Sequence, residues 1–202
     1  MKVLVFNTTT QNADLALLNG EQILIKRLET QAKHSESLLV EIENLLEQQN
    51  LSVLDLDYVG VSIGPGSFTG IRLSLAILKG FLTANKRLKA VGFTTLELME
   101  RCYESDEKLA FVMNALSGKY YVAYSGEEPF LCYDIGMIDK KIVGLLEEGL
   151  NIVDDYVELD GSKMLELVLE KIQKGQTSSD LSPLYLRNSQ AEENFNANRK
   201  NE

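Results

Sequence analysis

The 202-residue chain has no tryptophan, one histidine, two cysteines and three prolines. A single histidine, His34, excludes an H-E-x-x-H zinc motif. No Ser-His-Asp pattern is evident either. Cys102 and Cys132 have no ligand-like spacing; they read as buried or bystander thiols of a reducing compartment. Positive charge is also scarce, with 20 Lys and Arg against 30 Asp and Glu, a net charge of −10. An acidic chain gains nothing from counterion release, and no basic patch interleaved with aromatics is present, so it is a poor candidate to grip RNA unaided. A role in RNA chemistry would need a basic partner; the same charge also simply keeps a protein in solution. No apolar run reaches membrane length, and Met1-Lys2 leads straight into a short strand pattern, so no signal segment is read and the cytoplasm is expected. No repeat or low-complexity tract is visible.

What is present is core-forming material. Hydrophobic residues make up 45% of the chain, enough for one large domain or two small ones. Residues 2–6 form a continuous apolar run, a buried strand. Residues 14–18 and 22–28 are two further strands joined by the hairpin turn Asn19-Gly20. A helix is expected over 34–49, capped by Ser35, with Leu38, Leu39, Ile42, Leu45 and Leu46 as its apolar stripe. Strands follow at 58–63, 88–91, 109–113 and 120–124. Thr94 opens a short helix, to about Arg101, with a capping-box pattern. Another helix runs from Gly161 to about Lys174. Residues 145–148 suggest a short helix and 152–157 a strand. Residues 183–187 read as an extended segment, and 191–202 as a polar tail.

The organising stretch is Gly64-Pro65-Gly66-Ser67-Phe68-Thr69-Gly70-Ile71-Arg72, between the strand at 58–63 and an apolar helix pattern over 67–84. Its glycines permit a sharp turn, and Ser67 or Thr69 can cap the helix. Strand, glycine turn and helix N-terminus together can form an anion site. The motif is neither Walker A, which needs Gly-Lys-Ser/Thr, nor a dinucleotide G-x-G-x-x-G. A tight connection without any ligand fits the spacing equally well. The helix after it is apolar on two sides: Phe68, Ile71, Leu75, Leu78 and Leu82 on one, Leu73, Ile77, Gly80, Phe81 and Ala84 on the other. Such a helix is buried twice, either inside the fold or against another chain. Gly80 and Ala84 would let a second helix approach closely.

Gly64 to Arg72 with Lys79-Gly80, the opening Val3-Leu4-Val5-Phe6-Asn7-Thr8, His34-Ser35-Glu36 and Pro183-Leu184-Tyr185-Leu186-Arg187 together resemble the TsaB (YeaZ) family. The resemblance is dense over the first half of the chain and thin over 104–182. It implies an α/β, actin/hexokinase-like (ASKHA, Gcp-like) fold: mixed sheets flanked by helices in two small lobes, residues 1–103 and 104–190, before the tail at 191–202. It implies a scaffold without chemistry of its own. The chain would pair with the catalytic paralogue TsaD, help recruit the ATPase TsaE, and meet tRNA only through the complex that transfers threonylcarbamoyl to the adenosine beside the anticodon. Alone it would form a homodimer.

In actin-like ATPases and sugar kinases the first hairpin holds phosphates, with an aspartate in its turn for the metal. Here the matching position is Asn7, a weaker magnesium ligand, and Asn114 stands where many relatives carry another aspartate. The expectation is therefore no catalytic residue, no metal and no cofactor. A vestigial phosphate loop would be built from Asn7, Thr8, Gly64, Gly66, Ser67 and Gly70. The partner surface would be built from His34, Leu38, Ile42, Leu73, Ile77, Gly80, Phe81 and Ala84. The alternative is a nucleotide-using kinase or ATPase of the same superfold, which would need a carboxylate at the first hairpin; Asp14, within a strand, is a poor substitute. A metallopeptidase is disfavoured by the single histidine.

Overall fold

The computed structural model describes residues 1–29, 34–103, 109–133 and 159–188. The chain opens with a meander of β1 (Lys2–Asn7), β2 (Ala13–Asn19) and β3 (Gln22–Leu28). After α1 (His34–Gln48) and a single 3-10 turn (Val53–Asp55), β4 (Tyr58–Ser62) enters beside β1. The glycine loop turns into α2 (Phe68–Ala84), and β5 (Lys89–Phe93) completes a five-stranded sheet of order β3-β2-β1-β4-β5. The meander strands pair antiparallel, and β1, β4 and β5 run parallel.

β1 is buried on both faces, which is why it reads as an unbroken apolar run. Leu4 and Phe6 join a core with Leu38, Ile42 and Leu45 of α1 and with Ile71, Leu75 and Leu78 of α2. Val3 and Val5 join a second core on the opposite face, shared with α3 (Thr95–Cys102) and α4 (Gly161–Gln173). That core also receives the second sheet, β6 (Ala110–Asn114), β7 (Tyr120–Tyr124) and β8 (Phe130–Cys132), in the order β6-β7-β8. Helix α4 sits close over the first sheet because β4 offers Gly60: a Cβ there would lie 2.6 Å from a Val168 methyl. Lys171 to Glu97 (2.6 Å) and Arg101 to Glu170 tie α4 to α3.

The expected elements recur with ends shifted by a residue or two, as fraying boundaries do. Thr94 makes the capping box, accepting from Glu97 N while Glu97 accepts from Thr94 N. Strand β8 had no pattern that announced it. The stretch 183–187 has no regular structure and runs across other elements. The helix expected at 145–148, the strand at 152–157 and the tail at 191–202 lie outside the described residues, as does the side chain of Ser35. Among the described residues no helix is long and apolar enough to cross a membrane.

Candidate functional site

Asn7 and Ser62 end the neighbouring parallel strands β1 and β4, and each is wholly buried. The turn after β1 presses onto the glycine loop and the first turn of α2, so the structure brings Asn7, Thr8, Gly64, Gly66, Ser67 and Gly70 together. Gly64 and Gly66 have φ of +111° and +149°, regions that side chains resist; the Gly64–Pro65 bond is cis. A Cβ on Gly66 or Gly70 would overlap the carbonyl oxygen of Thr9 or Thr8. These glycines are thus required by backbone pressed on backbone.

Two N–H groups at the helix N-terminus are used internally. Ser67 N donates to Thr9 O at 2.8 Å, and the Ser67 hydroxyl caps α2 by accepting from Gly70 N at 3.2 Å. Ser67 is therefore the cap, and Thr69 is not. Thr8 Oγ1 donates to Gly70 O at 2.7 Å and lies 2.6 Å from Ser74 Oγ.

Beside this contact lies a buried hydroxyl cluster. Asn7 Oδ1 accepts from Thr9 N (3.1 Å) and Thr9 Oγ1 (2.7 Å), which fixes the amide's orientation. Thr9 Oγ1 is 2.7 Å from Thr95 Oγ1, which donates to Pro65 O at 2.8 Å and lies 3.1 Å from Ser62 Oγ. The three hydroxyl protons of Thr9, Ser62 and Thr95 face four contacts; with Thr9 donating to Asn7 and Thr95 to Pro65 O, Ser62 donates to Thr95 and no proton remains for the Thr9–Thr95 contact. Asn7 Nδ2 is the buried donor without a hydrogen-bond partner among the described residues. Across the ladder from Asn7 stands Asp14, whose carboxylate meets Arg27 Nε at 2.8 Å.

Charge at this cluster is thus low. Two titratable groups, at the end of α3 and just before α4, have displaced pKa values. Burial pushes the Cys102 thiol up, and the Ser162 N–H and hydroxyl hold the Asp160 carboxyl below its usual value. Among the described residues no three His, Cys, Asp or Glu side chains gather as a metal-holding group. Asn114 turns its amide to its own loop, accepting from Leu116 N at 2.7 Å.

The residues expected at a partner surface divide. Leu38, Ile42 and Phe81 point inward, with 0%, 1% and 8% exposure, and are not available to a partner. Leu73 and Ile77 are half-buried, while Gly80 and Ala84 are exposed on the outer side of α2. Leu39 and Val40 of α1 are also exposed. His34 begins α1. Sequence reasoning missed Thr9, Ser62, Ser74 and Thr95. Small hydroxyl residues ending adjacent strands or following a cap were the available signal, but only strand adjacency gives it meaning.

A family model described as TsaD: tRNA N6-adenosine threonylcarbamoyltransferase matches residues 26–142, more than half of the chain. The chain belongs to the TsaB (YeaZ) branch of the TsaD family. The protein of Buchnera aphidicola (Schizaphis graminum) called tRNA threonylcarbamoyladenosine biosynthesis protein TsaB is 25% identical over 183 residues, covering 84% of this chain and 86% of its own length. The Escherichia coli K12 protein of the same name is 25% identical over 132 residues, covering 63% of this chain and 57% of its own length. The YeaZ structure from Pseudomonas aeruginosa superposes with a TM-score of 0.73 at 20% identity, over 92% of this chain and 99% of that one; that likeness speaks for the fold. The fold of this TsaB-family chain is the mixed α/β one of that YeaZ structure, as the motifs implied.

Proposed function

We propose that this chain serves tRNA threonylcarbamoyladenosine biosynthesis as a non-catalytic subunit. It pairs with the catalytic paralogue TsaD, works with the ATPase TsaE, and meets tRNA within that assembly. The observation that carries the non-catalytic reading is the hairpin–loop contact. Several groups that would face a phosphate in an actin-like enzyme are engaged with one another: Ser67 N with Thr9 O, and the hydroxyls of Thr9, Thr95 and Ser62 among themselves, Asn7 and Pro65 O. The position for a metal carboxylate holds an amide. The names of the TsaB relatives support the pathway, and the net charge of −10 supports contact with tRNA through partners.

The outer side of α2 is the proposed pairing surface, reduced to Leu73, Ile77, Gly80 and Ala84; Leu39 and Val40 of α1 are exposed apolar residues that could extend it. The same surface would hold a second copy when the chain is alone. Nothing lies within 4 Å of a Cβ placed on Gly80, so Gly80→Arg is expected to stay folded. It should weaken both self-association and paralogue capture, by setting a bulky charge into a close helix contact. Circular dichroism, sedimentation and a pull-down with the purified paralogue test this. A folded variant that binds both normally removes the surface from the proposal. Reconstituted modification of tRNA tests the pathway itself: omission of this chain should abolish or strongly reduce it.

A further inference from the structure

Residues 177–187 have no regular secondary structure, yet they touch four separate parts of the fold in sequence order. At the start, Ser178 and Ala90 exchange backbone hydrogen bonds of 2.8 and 2.9 Å, covering the outer edge of β5. Leu181 then lies over Gly92, where a Cβ would come within 3.2 Å of it. Leu184 N donates to Ile63 O at 2.8 Å, and Leu184 O crowds Gly64 so that a Cβ there would sit 2.9 Å away.

The last two anchors are the ones that matter. The Tyr185 ring stacks on Phe68 with centroids 5.0 Å apart, and Arg72 Nε donates to Tyr185 Oη at 3.2 Å. The Arg72 guanidinium lies 5.8 Å from the Tyr185 ring centroid. This holds the strap to the first turn of α2. Two residues later Arg187, 7% exposed, donates to Ala115 O and reaches Leu116 O at 3.5 Å. This holds it to the β6–β7 turn, where Leu116, Ser117 and Gly118 carry φ of +64°, +55° and +72°. A leucine in that region is strained and persists only where its surroundings fix it. The buried guanidinium beneath the turn is one such constraint.

We propose that residues 177–187 act as a single latch joining the N-terminal turn of α2 to the β6–β7 turn, so that loosening either anchor loosens both. Two residues span at most about 7 Å, so a backbone shift at Tyr185 is passed on to Arg187. The latch opens from outside through Tyr185, which is 42% exposed, while Arg187 is the inner bolt. The proposal does not depend on the pairing partner or the pathway.

Hydrogen–deuterium exchange on the full chain tests it with Tyr185→Ala and Arg187→Ala. Tyr185→Ala removes an aromatic stack, so amides should exchange up to about tenfold faster. The acceleration should appear in residues 64–72 and also in residues 114–119, which Tyr185 does not touch. Arg187→Ala should accelerate the same two segments, with β1 and β4 still protected. Acceleration confined to the segment each side chain touches would overturn the latch. So would no change in either variant, or an Arg187→Ala chain that loses the protection of β1 and β4 as well.

Discussion

Gly70 and Gly80 stand ten residues apart in one helix, and the same substitution at each should change stability in opposite directions. Alanine is the better helix former by about 1 kcal/mol in a helix interior. At Gly80 nothing lies within 4 Å of the new methyl, so that preference acts alone. Gly80→Ala should stabilise by up to about 1 kcal/mol and raise Tm by about 2–4 °C for a chain of this size. At Gly70 the methyl would overlap the carbonyl oxygen of Thr8. That oxygen belongs to backbone, so relief requires the β1–β2 turn to move off α2. The move disrupts Thr8 Oγ1 to Gly70 O, Thr8 Oγ1 to Ser74 Oγ and Ser67 N to Thr9 O, contacts of 2.7, 2.6 and 2.8 Å. A buried group left without its partner costs about 1–3 kcal/mol. If two of the three fail, the loss is about 4 kcal/mol, and the helix preference returns at most about 1 of it. Gly70→Ala should therefore lose about 3 kcal/mol, a fall in Tm on the order of 10 °C.

The assay is calorimetric or circular-dichroism melting of both variants, with urea titration to confirm an unchanged slope. A Gly70→Ala protein as stable as the wild type would refute the claim that the glycine loop exists for backbone contact. It would return the loop to the ligand reading.

Two further outcomes follow from the geometry. The Asn85 side chain is buried and offers Nδ2 to Val53 O (3.0 Å), Leu56 O (3.0 Å) and Leu54 O (3.3 Å), so Asn85→Ala should cost about 2 kcal/mol and speed amide exchange over residues 52–57. Asp160 caps α4 by accepting from Ser162 N and Oγ at 2.7 and 2.8 Å, which depresses its folded pKa. Its stabilisation is thus complete above the ordinary carboxylate value, about pH 4, and is lost as pH falls through the folded value. Asp160→Ala should cost about 1 kcal/mol at neutral pH and shrink that acid-side decline, read from melts between pH 2 and 7.

Local chemistry was legible wherever it sufficed. β1 showed as an apolar run because both its faces are covered, and the Thr94–Glu97 box showed because it closes within one turn. The two-sided apolar pattern of α2 also showed, but not how it is shared. Phe81 turns inward and Leu82 is only half-buried, because α2 meets the sheet along a line that spacing alone does not orient. Leu38 and Ile42 were assigned outward for want of knowing that α1 lies on the sheet beside α2. β8 escaped because three residues, Phe130, Leu131 and Cys132, carry no alternation. The hydroxyl cluster depends on β1 lying beside β4, a pairing between segments more than fifty residues apart.

A glycine-rich turn between strand and helix has two physical uses. It can present N–H groups to an anion, or it can let another segment of chain come within van der Waals distance. The two compete, because a backbone oxygen brought that close accepts the hydrogen bond an anion would otherwise take. At this loop the Thr9 carbonyl accepts from Ser67 N, the position where a bound phosphate oxygen would seek its donor. Asn7 fits that outcome. A carboxylate there would sit wholly buried beside Thr9 and across from Asp14, which puts two acidic groups on paired residues. Desolvation and mutual repulsion would then destabilise the sheet unless a cation were held between them. The neutral amide accepts the two Thr9 bonds without that penalty. Asn7 thus keeps the turn's shape without a buried charge that would call for a cation beside it.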